Sequence, residues 1–247
     1  MPLNKQYGNM FEFVDGTWNP LAGECIYSCV YCYVEDEKRK PILKSKYSGG
    51  YRVLPHELEQ YLYKFGKGIT IFVQNMSDLF AEGVYDEDIE RVLGVCRDFP
   101  ENTYLFLTKN PGRYERFLGA DLLPPRTILG TTVESDHYEG PISKAPAPAD
   151  RITAMKGLRK HYPKVRRFVS IEPIMKFDHD ALVEMIRSIE PEYVAIGADS
   201  KNSGLPEPDK ADIITLVIEL GRYTEVKLKS NLKRIVDIQV TPGCVSF

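Results

Sequence analysis

The run ITIFVQNMSD, residues 69–78, passes from β-branched and aromatic side chains to polar ones. Its first half reads as a buried strand and its second half as the loop that leaves it. Six other runs repeat the pattern: MFEFVDGTW (10–18), TYLFLTKN (103–110), TILGTTVES (127–135), RRFVSIEPI (166–174), YVAIGADS (193–200) and EVKLKSN (225–231). Between them lie HELEQYLYKF (56–65), DEDIERVLGVCRDF (86–99), GRYERFLG (112–119), ADRITAMKGLRKHY (149–162), DHDALVEMIRSI (178–189) and KADIITLVIELGRY (210–223). Their apolar residues recur at three and four, the helical period. Strands alternating with helices predict an α/β protein with a parallel sheet or barrel. Asp86 and Asp178 stand where N-caps are wanted, and PEP before residue 209 marks a loop. No change of composition divides the chain, so the expectation is one domain over residues 1–247, with 232–247 as a C-terminal tail.

Each apolar run ends in polar residues. These are Gln74, Asn75, Ser77 and Asp78; Thr108, Lys109 and Asn110; Thr131, Thr132, Glu134 and Ser135; Ser170 and Glu172; Asp199 and Ser200; and Lys229 and Asn231. In a parallel barrel those endings share one rim, the edge where sites of such folds are built.

Of 247 residues, 43% are hydrophobic, enough for a substantial core. No apolar stretch reaches membrane-spanning length, and MPLNKQYGNM lacks the order of a signal peptide. The expectation is a cytoplasmic protein without membrane contact. A net charge of −3 gives no general attraction to nucleic acid. The basic runs KRKPILKSK (38–46) and RKHYPKVRR (159–167) read first as solvated faces and keep a polyanionic substrate open.

Five cysteines, an odd number without an export signal, argue for metal binding or catalysis rather than disulfides. Cys25, Cys29 and Cys32 form C-x3-C-x2-C in GECIYSCVYCYVED (23–36). Soft thiolates select zinc or an iron–sulfur centre. A structural zinc site needs a fourth ligand, and no second C-x2-C or paired histidines occur. A 4Fe–4S cluster held by three thiolates would keep one iron open. Cys96 falls on an amphipathic helix as a small buried hydrophobe.

The array C-x3-C-x-aromatic-C after the first strand of a β/α protein resembles the signature of the radical S-adenosylmethionine (SAM) superfamily. The blocks TWNPLAGEC, VQNMSDLF, YLFLTKNP, ILGTTVES, RRFVSIEPIM and YVAIGADS resemble, in order, the phage Gp37/Gp68-type family of unknown function. The resemblance implies a partial (β/α) TIM-like barrel, a radical SAM core of about six or seven parallel strands. It implies a 4Fe–4S cluster on Cys25, Cys29 and Cys32, SAM on the open iron, and reductive cleavage to a 5′-deoxyadenosyl radical that abstracts hydrogen from substrate. An electron donor such as flavodoxin or ferredoxin is implied with it.

By rim position the resemblance makes Gln74, Asn75 and Ser77 candidates for the SAM amino group, although the usual Gly-Gly-Glu is absent. Thr132, Glu134 and Ser135 become candidates for its ribose or carboxylate, and Tyr31 for packing on the cluster or adenine. Trp18 would lie under the cysteine loop or simply in the core. Lys109 and Lys229 would neutralise a carboxylate or phosphate, or stand as ordinary surface lysines. Glu172 points into the barrel or pairs with a nearby cation. Cys244, in the turn-rich TPGCVSF, is a candidate hydrogen-atom donor or an idle tail thiol. Two other functions remain open: a nucleic-acid modification or repair enzyme similar to spore photoproduct lyase, and an iron–sulfur or zinc-binding module without SAM chemistry.

Overall fold

The computed structural model describes residues 4–5, 10–61, 66–138, 140–241 and 244–246. All seven apolar runs form strands: β1 (Gly16–Trp18), β2 (Thr70–Val73), β3 (Thr103–Thr108), β4 (Thr127–Thr132), β5 (Arg166–Ile171), β6 (Tyr193–Ile196) and β7 (Glu225–Leu228). They stand in chain order in one sheet, and Asn4–Lys5 is added antiparallel beside β1. The seven are parallel, and the fold is an α/β partial barrel. Six of the strands, β2 to β7, are shorter than their runs at the C-terminal side, because the polar endings leave the ladder to bond elsewhere. The first instead starts late and ends with its run: residues 11–14 form a turn closed by Val14 N–H on the Phe11 carbonyl.

The chain divides into two compact units. Met1–Ser28 and Cys32–Leu129 make the first. Its registers set Gly16 opposite Ile71, Trp18 opposite Val73 and Ile71 opposite Tyr104. Helix α1 (Asp86–Arg97) buries Ile89, Val92, Leu93 and Cys96, the stripe its period predicts. Asp86 is not its cap: Tyr85 holds that position, and the Asp86 carboxylate pairs with Arg113 and Arg116. Phe80 meets the rings of Phe106, Tyr114 and Phe117 edge-on, with centroids 4.7–5.8 Å apart. Trp18 is buried in this core.

Cys29–Tyr31 and Gly130–Phe247 make the second unit. Three helices serve it: α2 (Pro148–His161), α3 (His179–Ile189) and α4 (Lys210–Leu220). Asp178 caps α3 as expected, accepting from Ala181 N–H at 2.9 Å. Asp209 caps α4 in the same way, through Asp212 N–H. The buried stripes are Leu182, Val183, Ile186 and Ile189 on α3 and Ile213, Leu216, Val217 and Leu220 on α4. Burying each such side chain contributes about 1.5–3 kcal/mol. Helix α2 differs, for its buried face carries Arg151 beside Ile152, Met155 and Leu158. Among the described residues no helix is long and apolar enough to cross a membrane.

Candidate functional site

In the first unit the cysteine segment opens on Gly23, at φ +110°. A Cβ there would stand 2.6 Å from the Gly50 carbonyl oxygen, so only glycine fits the close approach. Gly23 and Glu24 N–H groups donate to the carbonyls of Lys46 and Gly49. Tyr51 accepts from Ile26 N–H at 3.1 Å, and its phenol, beside Cys25, is pushed up chiefly by burial and then by the Cys25 charge. Past Cys32, the Tyr33 hydroxyl donates to the Asn75 carbonyl at 2.6 Å and accepts from Asn75 Nδ2 at 2.9 Å.

The end of β2 is built from its own side chains. Gln74 takes a left-handed φ of 63°, which turns its amide onto Leu21: Oε1 accepts from Leu21 N–H at 2.9 Å, and Nε2 donates to the Leu21 carbonyl at 3.1 Å. The side chain thus substitutes for a strand partner, and Nε2 also reaches Ser77 Oγ at 2.8 Å. Asn75 Oδ1 accepts from Asn19. Asp78 is buried and accepts from the Thr108 hydroxyl at 2.6 Å and from the N–H groups of Lys109 and Phe80. Burial raises its pKa against those donors.

In the second unit the Cys29 thiol stands 3.1 Å from Ser143 Oγ, and Val30 N–H donates to the Ile142 carbonyl. The Tyr31 hydroxyl donates to Glu134. Burial, and then the Glu134 charge, push this phenol well above its usual range. Glu134 also accepts from Tyr138 at 2.7 Å and from Arg151 at 2.9 Å, and neither Glu134 nor Arg151 is exposed at all. Ser135 donates to the Lys176 carbonyl at 2.7 Å, while the Thr132 carbonyl accepts from Arg151. After β5, Glu172 pairs with Lys229 and accepts from Asn231 Nδ2 at 3.1 Å. Asp199 closes the loop after β6 by accepting from the N–H groups of Lys201 and Ser203.

Gln74, Asn75, Ser77 and Lys109 therefore belong with Cys25 and Cys32 to the first unit, and Thr132, Glu134, Ser135, Tyr31 and Glu172 with Cys29 to the second. The side chain of Cys244, on a short antiparallel pair with Gln239–Thr241, lies outside the described residues. Gln74, Glu134 and Ser135 spend their polar atoms within the protein. Arg151, the buried partner of Glu134, is a residue that sequence reading missed. Its signal was present, a charged residue in register with Met155 and Leu158 on an apolar helix face.

Among the described side chains, Cys25, Cys29, Cys32 and Cys96 are not joined in disulfides. The first three are half-exposed on one loop and Cys96 is buried in α1, so the accessible donor set among the described side chains is three thiols. That set fits a cluster with one open iron. Among the described residues no group of three or more His, Cys, Asp or Glu converges as a site for a single ion.

The fold is similar to that of several solved structures at low sequence identity. A spore photoproduct lyase variant with bound AdoMet and dinucleoside spore photoproduct superposes with a TM-score of 0.59 at 11% identity, over 91% of this chain and 80% of that one. Spore photoproduct lyase complexed with dinucleoside spore photoproduct gives 0.58 at 12%, with the same coverage. Streptococcus suis SuiB bound to precursor peptide SuiA gives 0.54 at 11%, over 86% of this chain and 48% of that one. The chain belongs to the family DUF5131, described as proteins of unknown function, whose model matches residues 9–201. Among curated proteins none matches.

Proposed function

We propose that this chain is a radical SAM enzyme, with Cys25, Cys29 and Cys32 as the three protein ligands of a 4Fe–4S cluster and SAM as its second cofactor. The observation that carries the reading is the loop of three half-exposed cysteines in C-x3-C-x2-C spacing between β1 and β2 of this fold. When bound, the cluster supplies the electron that cleaves the SAM sulfonium to a 5′-deoxyadenosyl radical, which takes hydrogen from the substrate. Flavodoxin or ferredoxin would provide that electron.

The chain's own residues orient SAM and substrate and exclude water. Gln74 holds Leu21 and shapes the β2 end, leaving Asn75 and Ser77, both half-exposed, to meet the SAM amino group. Thr132 stands for the ribose or carboxylate, while Ser135 is spent on the Lys176 carbonyl and Glu134 serves the loop. Lys109, half-exposed, is the positioning charge for a carboxylate or phosphate. Glu172 with Lys229 faces the substrate, and Cys244 is the hydrogen-atom donor.

The test is electron paramagnetic resonance of the anaerobically reconstituted, reduced protein with and without SAM. The reading expects a 4Fe–4S signal that changes with SAM and disappears in Cys25→Ala, Cys29→Ala or Cys32→Ala. A cluster signal indifferent to SAM, or a colourless protein carrying stoichiometric zinc, would refute it.

A nucleic-acid substrate is the second reading, favoured by the bound dinucleoside of the similar lyase and by the phage resemblance. The basic runs weigh against it. Lys38, Arg39, Lys40 and Lys46 pair with Glu35, Asp36, Glu37 and Glu57, Arg166 pairs with Glu192, and Arg167 donates to backbone carbonyls. Fluorescence anisotropy with a DNA oligonucleotide at two salt concentrations tests it: steeply salt-dependent binding supports it, and no binding sinks it.

A further inference from the structure

A buried ion pair is weak evidence of stabilisation, since apolar residues of the same volume often do as well. Glu134 and Arg151 are such a pair, without solvent exposure and saturated within the protein. Arg151 is forked over four acceptors: Nη1 donates to Glu134 at 2.9 Å and to the Thr132 carbonyl at 3.0 Å, Nη2 to the Tyr138 hydroxyl at 2.9 Å, and Nε to the Pro146 carbonyl at 2.7 Å. This fork immobilises the Glu134 carboxylate. One Glu134 oxygen takes Arg151 and Tyr138, and the other takes the hydroxyl of Tyr31. Tyr31 comes from the cysteine loop, two residues after Cys29. Its neighbours are tied to the segment after β4 by Val30 N–H on the Ile142 carbonyl and by Cys29 Sγ against Ser143 Oγ.

We propose that Glu134, locked by Arg151 and Tyr138, is a positioning residue for the cysteine loop, holding Tyr31 and thereby presenting the Cys29 thiol at a fixed place. The proposal rests on the reading of Cys29 as a cluster ligand. On this view the tyrosine in C-x-Tyr-C works through its hydroxyl as well as its ring. The carboxylate ending β4 is then an anchor for the loop.

Two substitutions of identical chemistry separate positioning from simple support. Tyr31→Phe and Tyr138→Phe each remove one hydroxyl from the same buried carboxylate, but only Tyr31 lies on the cysteine loop. The measurement is the iodoacetamide alkylation rate at Cys29, followed by mass spectrometry on the reduced, metal-free full chain, with Cys25 as internal reference. Tyr31→Phe should speed alkylation of Cys29 about tenfold relative to Cys25, the scale of one lost hydrogen bond to a charged group. Tyr138→Phe should leave that ratio unchanged. After reconstitution, Tyr31→Phe should also release iron to a chelator about tenfold faster than Tyr138→Phe.

Equal effects of the two variants, or none at Cys29, would overturn the proposal. Hydrogen exchange on the wild type provides an independent check should Tyr31→Phe not fold. The Val30 amide should be protected like the amides of β5, and exchange at the rate of an unstructured chain would overturn the proposal equally. A wild type that takes up no cluster would sink the enzyme reading, while the alkylation ratio would still decide how the loop is held.

Discussion

Replacing Gly197 by alanine should destabilise the protein, although the usual sign of that change is the opposite. Gly197 follows β6 outside the left-handed region, so alanine there would ordinarily stabilise by about 0.4–1 kcal/mol through the unfolded chain. Its Cβ, however, would stand 2.8 Å from Glu172 Oε1 and 3.0 Å from both Glu172 Cδ and Asn231 Oδ1. The carboxylate has little room to retreat, since Lys229 and Asn231 hold it and the Lys229 side chain is only 9% exposed. Overpacking of this kind costs about 1–3 kcal/mol, which exceeds the entropic gain. Central values leave a net loss of about 1.3 kcal/mol, which for a chain of this length corresponds to a fall in melting temperature of about 3–5 °C. Thermal denaturation followed by circular dichroism measures it. The closest contact disappears in Glu172→Ala, so Gly197→Ala made on that background should cost less than half as much, a coupling that a double-mutant cycle reads directly. Melting of Gly197→Ala at or above the wild-type temperature, or equal costs on both backgrounds, would refute the reasoning.

Gln74→Ala should be among the most damaging single changes near the β2 end, because it strips partners from both the N–H and the carbonyl of buried Leu21; the cost, about 1–3 kcal/mol for each group, is read from the urea midpoint. Asp209→Ala removes the α4 cap and should cost about 1 kcal/mol in the same assay. Glu192 has its pKa lowered, first by its hydrogen bond to Arg166. Its contribution is therefore complete above the ordinary carboxylate range and is lost as pH falls through the depressed value. Glu192→Gln should flatten the slope of stability against pH below about pH 4.5, and only modestly, since the pair is half-exposed.

The seven strands were legible because a buried parallel strand writes itself as an apolar run, and each helix as a stripe at three and four. Their ends were harder to read. In QNMSD and TTVES the chain leaves the sheet where a side chain finds a better partner than the neighbouring strand, and such partners come from distant segments: Leu21 for Gln74, Arg151 for Glu134. Asp86 shows the same limit at a helix terminus. It has the right residue type for a cap, yet Arg113 and Arg116 claim its carboxylate and shift it one position into the helix. Polar residues along a strand's rim thus announce that something is held there, without saying whether it is a ligand or the protein itself.

Burial distinguishes the two cases. Glu134, with no exposure and three side-chain donors, is engaged wholly within the protein, whereas Asn75, Ser77 and Lys109 are half-exposed residues, although Asn75 also bonds Asn19 and Tyr33 and Ser77 accepts from Gln74. Fully buried groups build the frame, and on the proposed reading the half-exposed ones beside them are those that meet the cofactor. The cysteine loop joins both kinds within a few residues. Tyr31 is committed to Glu134 and Tyr33 to Asn75, while Cys25, Cys29 and Cys32 alternate with them as half-exposed thiols. On the proposed reading, tying down the aromatic residues of this loop would restrict its thiols before a metal arrived and so lower the ordering cost of assembling a cluster on it.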